Sequence, residues 1–349
     1  MTKRFFCGIL PFIMKAWRIF EPGKLGLAEL PSRAAEGRFV KVKIAYSALS
    51  ETDRLIYAGK LSPGSFPLTL GRQAVGMVSE TGLDVTNVVR GDRVVIDPYI
   101  YCGVCAPCKE GRGADCADLK MYGVQEDGFL SDFALVNADH LFKLPDRVKD
   151  TDAIFAGHIA AASNIASKLS LQKGEHLVIV GASVIGIILA QAALYYQAVP
   201  ILVDTRQDRL DIAESLGVYY CVNSVNEDVQ KKVFALTGGN MAETLCYIDG
   251  SLARSLEFAA PNGRVAIFGW RGTKTELSAA FSPIFSKQLS VFGICNGAKL
   301  IPSAINMLAN KAVTVAPMIS KEADFLSVGE LIAQQAEHPS LYIKALVKM

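Results

Sequence analysis

Histidine is scarce in this chain, with four in 349 residues and none before His140. The first 139 residues can therefore build no metal centre that uses an imidazole ligand. Neither sign of charge is in excess, since 36 Lys and Arg stand against 34 Asp and Glu for a formal charge of +2. That balance, without a basic stripe, argues against nucleic acid as a partner. There is no internal repeat and no low-complexity tract. One long uncharged run exists, the eighteen residues Leu177 to Leu194, but Gly181 and Gly186 break it. A β-branched run, a glycine turn and an Ala-rich segment read as a buried parallel strand feeding its crossover helix, not as a membrane span. Nor does a disulfide framework fit. Of eight cysteines, Cys102, Cys105, Cys108 and Cys116 fall within fifteen residues, while Cys7, Cys221, Cys246 and Cys295 are scattered. Such clustering points to a metal site in a reducing, cytoplasmic compartment.

What is present is a chain of two-domain length, 51% hydrophobic and 20% charged. Residues 1–13 open with a basic start and an apolar run but lack a small-residue cleavage site, and a strand-like pattern begins only at Met14. They are expected to be a leader outside the fold, with a targeting segment as the alternative. Up to about residue 150 the texture is β-rich, with strand runs at Val40 to Ala45, Ala74 to Ser79, Arg93 to Asp97 and Phe133 to Val136. From residue 152 strand and helix alternate. Strands are expected at Leu177 to Val180, Pro200 to Val203, Tyr219 to Val222, Thr244 to Ile248 and Arg264 to Phe268, which implies an α/β, doubly wound parallel sheet. Leu300 to Asn310 and Phe325 to Gln334 carry a helical apolar period.

Two constellations carry chemistry. Cys102-x-x-Cys105-x-x-Cys108-x7-Cys116 lies in a glycine-punctuated loop, and four thiolates at such spacings suit one tetrahedral zinc. Free or degenerate thiols and an iron–sulfur cluster are the alternatives, but the bacterial cluster run has three residues before a last Cys that precedes Pro, whereas here seven precede Cys116 and Ala117 follows. Four protein ligands close the site, so the ion would be structural. The second constellation is Gly181-Ala182-Ser183-Val184-Ile185-Gly186 between a strand and a helix. In a G-x-G-x-x-G turn the glycines bend the chain, admit a pyrophosphate and let the helix approach the strand; here Ser183 stands at the second. Asp204, twenty-three residues past Gly181, ends the next strand, where a carboxylate accepts from the ribose hydroxyls and repels a 2′-phosphate. NAD(H) is thus expected over NADP(H), with Arg206 close enough to blur the choice.

The chain from Met14 onward resembles the medium-chain dehydrogenase/reductase family, in its zinc-type alcohol and polyol dehydrogenase branch. The resemblance is carried by Met14-Lys-Ala-Trp17, Ser50-Glu51-Thr52-Asp53, Phe66 to Gly76, Gly91-Asp92-Arg93-Val94, the four-Cys loop, Gly181 to Gly186 and Gly263 to Gly269. It implies a GroES-like catalytic domain from residues 14–150 plus 296–349, a Rossmann domain at 151–295, an active-site cleft at their junction, a small-molecule substrate and a homo-oligomer. It also implies contacts to the cofactor from Val184 and Ile185 and to the adenosine ribose from Arg209. Thr52 matches the hydroxyl that passes the alcohol proton toward solvent, and Asp53 the carboxylate beside the catalytic metal. The family's catalytic zinc ligands are absent. The Cys position reads Ser50, the His-Glu pair reads Arg72-Gln73 and the third position reads Gly157, none of which can bind the ion as those ligands do. His158, next to the third position, reads either as a helix-start histidine or as a proton carrier.

These features support hydride transfer between a nicotinamide and a carbonyl, alcohol or activated double bond without catalytic zinc. The alternatives are a cofactor-binding pseudoenzyme acting as a sensor and a different reaction on the same fold, an elimination or an epimerisation. An Arg72 to Asp53 ion pair, completed by Gln73 and Ser50, is expected to fill the vacated place, either as a fixed cation for substrate oxygen or as a plug.

Overall fold

The computed structural model describes residues 13–269, 274–297 and 299–349, so the expected leader lies outside the described residues except for Ile13, which opens the first strand. Two compact units emerge. One comprises the described residues up to Ile100, with Lys120–Leu144 and Lys321–Met349; the other comprises Tyr101–Leu119 and Pro145–Ser320.

The first unit is built from antiparallel strands. Ile13–Glu21 pairs with Lys24–Pro31, and Phe39–Leu49 lies at the centre of a larger sheet. Along that central strand Val40, Val42 and Ile44 are buried while Phe39 and Lys43 are exposed, the period-two signature of a half-buried strand. Gln73–Thr81 flanks it on one side and Ala345–Lys348 on the other, both antiparallel. Leu49 thus stands opposite Ala345, which brings the last residues of the chain beside the start of the Glu51–Tyr57 helix. Ile19, Leu49, Ile56, Leu70, Ile332 and Val347 are buried together beneath this junction.

The second unit holds six parallel strands in the order Tyr220–Asn223, Val199–Asp204, His176–Val180, Ala242–Tyr247, Ala259–Phe268, Ser290–Ile294. In chain order these are strands three, two, one, four, five and six, and the order reverses at the first strand, the place where open α/β sheets bind ligands. The Val184–Tyr195 helix, buried from Val184 through Ala193, accounts for the uncharged run. At twelve residues it is too short to span a bilayer, and no helix among the described residues is long and apolar enough to do so.

Residues 101–119 and 296–320, assigned from sequence to the β-rich domain, cluster instead with the parallel sheet. The reason is local bonding. Asn296 Nδ2 donates to Ala114 O in the cysteine loop at 3.3 Å, and Lys299 Nζ lies 5.4 Å over the Tyr101 ring. Asn164 Nδ2, on the Ala156–Lys168 helix, donates in turn to Asn296 O at 2.9 Å.

Candidate functional site

The glycine turn follows the His176–Val180 strand directly. Gly181 has φ +114°, a conformation that favours glycine, and its N–H donates to Val203 O at 2.8 Å on the neighbouring strand. A Cβ on Gly186 would lie 2.0 Å from Gly181 O, so the helix can approach the strand only without a side chain there. Ser183 is the N-cap of the Val184–Tyr195 helix, and its hydroxyl makes no capping bond. Asp204 is held against the turn, its Oδ2 accepting from Ala182 N–H at 2.5 Å and its Oδ1 from Arg206 N–H at 2.9 Å. Two backbone amides thus fix the carboxylate at the strand end. The Arg206 guanidinium pairs with Asp208 at 2.6 Å, and the charge of Asp204 acts on it as a weaker, second influence. Arg209, half-buried, lies on the Gln207–Ser215 helix.

In the other unit a polar cluster gathers Ser50, Thr52, Asp53, Arg72, Gln73 and Lys344. Ser50 caps the Glu51–Tyr57 helix in a reciprocal arrangement: its Oγ accepts from Asp53 N–H, while Asp53 Oδ2 accepts from Ser50 N–H at 2.8 Å and from Ser50 Oγ–H at 2.5 Å. Asp53 Oδ1 accepts from Gly71 N–H at 2.8 Å, and the residue is wholly buried. The expected Arg72 to Asp53 pair does not form, because that carboxylate is already occupied. Arg72, half-buried, donates instead through Nη1 to Thr52 Oγ1 at 2.8 Å and through Nη2 to Met121 Sδ at 3.2 Å. Its Nε is sealed from solvent without a partner.

The second cation, which the sequence did not bring to notice, is Lys344. Its Nζ donates to Gln73 Oε1 and to Leu49 O, the latter at 3.4 Å, so Gln73 completes this contact and not one to Asp53. Burial pushes the amine down to about 7, with the Asp53 carboxylate pulling it up and the Arg72 guanidinium pushing it further down. A basic residue heading the apolar run Ala345-Leu346-Val347 was the available signal. Gly157 falls in the first turn of the Ala156–Lys168 helix with open space about it, and the His158 ring packs near Phe155.

The four cysteines converge. Their Sγ atoms all lie within 4.8 Å of one another, with Cys102 and Cys108 at 4.0 Å, and among the described residues no other group of His, Cys, Asp or Glu gathers in this way. A tetrahedron of about 2.3 Å zinc–sulfur bonds has edges near ~3.8 Å, so a small contraction would accommodate the ion. Backbone amides point at the sulfurs, from Cys102 to Cys116 Sγ at 3.3 Å and from Cys105 to Cys102 Sγ at 3.4 Å. Amides of Ala117 and Cys108 hold the Cys105 thiol down to about 6, while desolvation pushes the neighbouring Cys108 thiol up to about 12, so without an ion the first thiolate of the cluster forms at Cys105.

Comparisons with known proteins identify the family and the fold. Residues 37–146 match the alcohol dehydrogenase GroES-like domain, and residues 184–310 match the zinc-binding dehydrogenase description. An uncharacterized zinc-type alcohol dehydrogenase-like protein of Haemophilus influenzae is 33% identical over 335 residues, covering 95% of this chain and 97% of the relative. Among solved structures, Escherichia coli RspB, complexed with NADH, superposes with TM-score 0.87 at 25% identity, covering 97% of this chain and 99% of that one. A Sinorhizobium meliloti protein bound to NADP has the same TM-score at 23% identity, covering 97% and 100%.

Proposed function

The chain belongs to the zinc-type alcohol dehydrogenase branch of the medium-chain dehydrogenases/reductases, and from that premise we propose that it transfers hydride between NAD(H) and an alcohol or carbonyl without zinc at the reacting centre. The observation that carries this reading is the Arg72 guanidinium on the Thr52 hydroxyl, at 2.8 Å, in the place where the resemblance puts a metal-binding histidine. A bound nicotinamide supplies the hydride chemistry. In the oxidation direction the bound cofactor would take the hydride of the alcohol and the protein its proton, which would leave the carbonyl and release the proton to solvent. Thr52 Oγ is the group that relays the proton, and Arg72 is the fixed positive charge that favours the alkoxide on the way. Asp53, saturated by Ser50 and Gly71, positions the helix that carries Thr52.

The fold alone admits either cofactor, since one neighbour holds NADH and another NADP. The support for NAD(H) is Asp204, whose carboxylate is held at the strand end by two backbone amides, while the Arg206 guanidinium nearby is bonded to Asp208 and feels Asp204 only at longer range. Gly181, Ser183, Val184, Ile185 and Gly186 form the pyrophosphate turn, and Arg209 is assigned to the adenosine side. Cys102, Cys105, Cys108 and Cys116 hold one structural zinc. A homo-oligomer is also proposed, supported by the Ser290–Ile294 strand, which ends the sheet with one side unpaired among the described residues; sedimentation checks it. The central test is NADH oxidation against a carbonyl panel, with a crystal soaked in NADH to show which side chains surround C4 of the nicotinamide. Tight NADH binding with no turnover across the panel would replace the enzyme with a cofactor-binding sensor.

A further inference from the structure

Arg72 is a cation with no anion bonded to it among the described residues. A guanidinium offers five N–H donors and does not lose its charge in a protein. Of these, one reaches the Thr52 hydroxyl, one reaches a thioether, which is a weak acceptor, and the Nε–H is enclosed with no acceptor. Arg18, Arg38, Arg54, Arg112, Arg206 and Arg264 each lie on a carboxylate, Arg209 feels the charge of Asp208, and Arg33, Arg90, Arg147 and Arg254 are exposed to water. Arg72 lies on none among the described residues.

The neighbouring carboxylate cannot be recruited. Asp53 takes three hydrogen bonds from Ser50 and Gly71 and faces Lys344 as well. The cluster therefore sets two basic side chains, Arg72 and Lys344, against one acid. A half-buried cation left in this state is costly unless a partner arrives. An alkoxide is not enough, because it exists only as the reaction proceeds, whereas the missing charge is missing in the resting protein. The compensation must be an anion carried by the ligand before chemistry begins.

We propose that Arg72, with the Thr52 hydroxyl beside it, binds an oxyanion that the substrate itself carries, so that the substrate is an acidic hydroxy compound: a hydroxy acid or a polyol phosphate. The inference rests on the hydride-transfer reading above and deepens it: an oxyanion carried on the carbon next to the reacting one lets the same guanidinium hold the resting anion and favour the alkoxide that develops beside it, with Thr52 left to relay the proton. The planar fork of Arg72 suits two oxygens of one carboxylate or phosphate, which a lysine in the same place would not match.

The test titrates D-gluconate, inorganic phosphate and D-glucitol into the full-length protein saturated with NADH, comparing wild type with Arg72→Met and Arg72→Lys by calorimetry. At least one anion is expected to bind wild type tenfold or more tightly than D-glucitol does, and to lose at least tenfold in Arg72→Met. Arg72→Lys keeps charge without the fork and should lie between the two, which preserves the comparison if the Met variant fails to fold. The tighter anion assigns the source, gluconate for a carboxylate and phosphate for a phosphate ester. Equal affinities in wild type and variants, or no binding of either anion at millimolar concentration, would overturn the proposal. Turnover of neutral polyols with NAD and no anion preference would refute the substrate class while leaving hydride transfer standing. Anion binding lost in the variants, without NAD-linked turnover on any member of the set, would do the reverse.

Discussion

Raising the pH from 7 to 9 should stabilise the β-rich unit through Lys344. In the folded protein its amine is pushed down to about 7 by burial, against an ordinary lysine value of 10.5 in the unfolded chain. Below pH 7 the amine is charged in both states, so the full cost of burying the charge is present. Between 7 and 10.5 the unfolded chain binds the extra proton, so stability climbs with pH, and above 10.5 the contribution is flat. The whole span is about 5 kcal/mol, at roughly 1.4 kcal/mol for each tenfold change in proton affinity, and the portion between pH 7 and 9 is about 2 kcal/mol. From pH 6 to 7 it changes little, because both states hold the proton through most of that interval. Urea unfolding reads this directly. Trp17 belongs to the same unit as Lys344, its Nε1 donating to Phe325 O at 2.7 Å, and the chain has only two tryptophans, so a Trp270→Phe background leaves Trp17 as the reporter. Lys344→Met shares every other titration with wild type and leaves Gln73 and Asp53 without the amine, which lowers its stability by a constant amount. The difference between wild type and variant should therefore rise from pH 7 to 9 and stay nearly level from 6 to 7. A difference that is flat up to pH 9 would mean that Lys344 titrates as an ordinary lysine and that its burial is not felt as charge.

Three further outcomes follow from geometry. Elemental analysis should find one zinc per chain, and Cys116→Ser should release it and expose residues 101–119 to limited proteolysis before the rest of the chain is cut; two ions per chain would point to a second centre. Asp204→Ala should weaken NADH more than NADPH and narrow their ratio by about tenfold, or ~1.4 kcal/mol, in calorimetric titrations; tighter NADPH binding by the wild type would show that Arg206 or Arg209 overrules the carboxylate. Gly186→Ala places a carbon 2.0 Å from Gly181 O and should cost about 1–3 kcal/mol of stability or more, visible in thermal unfolding together with weaker NADH binding.

What can be read from the chain in advance depends on how far apart the cooperating residues lie. The cysteine loop is legible because fifteen residues hold all four ligands, and the sulfurs do converge. Gly181 and Asp204 are legible because one strand–helix–strand unit fixes their separation. The Ser290–Ile294 strand escapes notice because its residues are largely exposed at the sheet edge and carry no clear alternation. The expected Arg72 to Asp53 pair fails for a readable reason: Ser50-x-x-Asp53 is a capping box, a pattern that turns the acid back onto its own helix start. Lys344 cannot be placed beside Asp53 without the register that sets Ala345 opposite Leu49, and nothing local in either segment specifies that pairing.

That register also makes one unit a host and the other a guest. The β-rich sheet is continued past Phe39–Leu49 by Ala345–Lys348, which Lys321–Asp324 flanks in turn, and in sequence Pro145–Ser320 of the parallel-sheet unit lie between Phe39–Leu49 and these strands. The closing strand must find its place across nearly the whole length of the chain. If the guest is already folded, its contour no longer counts as free chain and the loop that remains to be closed is short. If it is not, the host's centre stays open at the edge of Phe39–Leu49, an unsatisfied strand edge of the kind that recruits other chains. The order of folding events thus decides whether this topology assembles or aggregates, and a lesion in the guest far from any catalytic group would first be felt as a failure of the host to close.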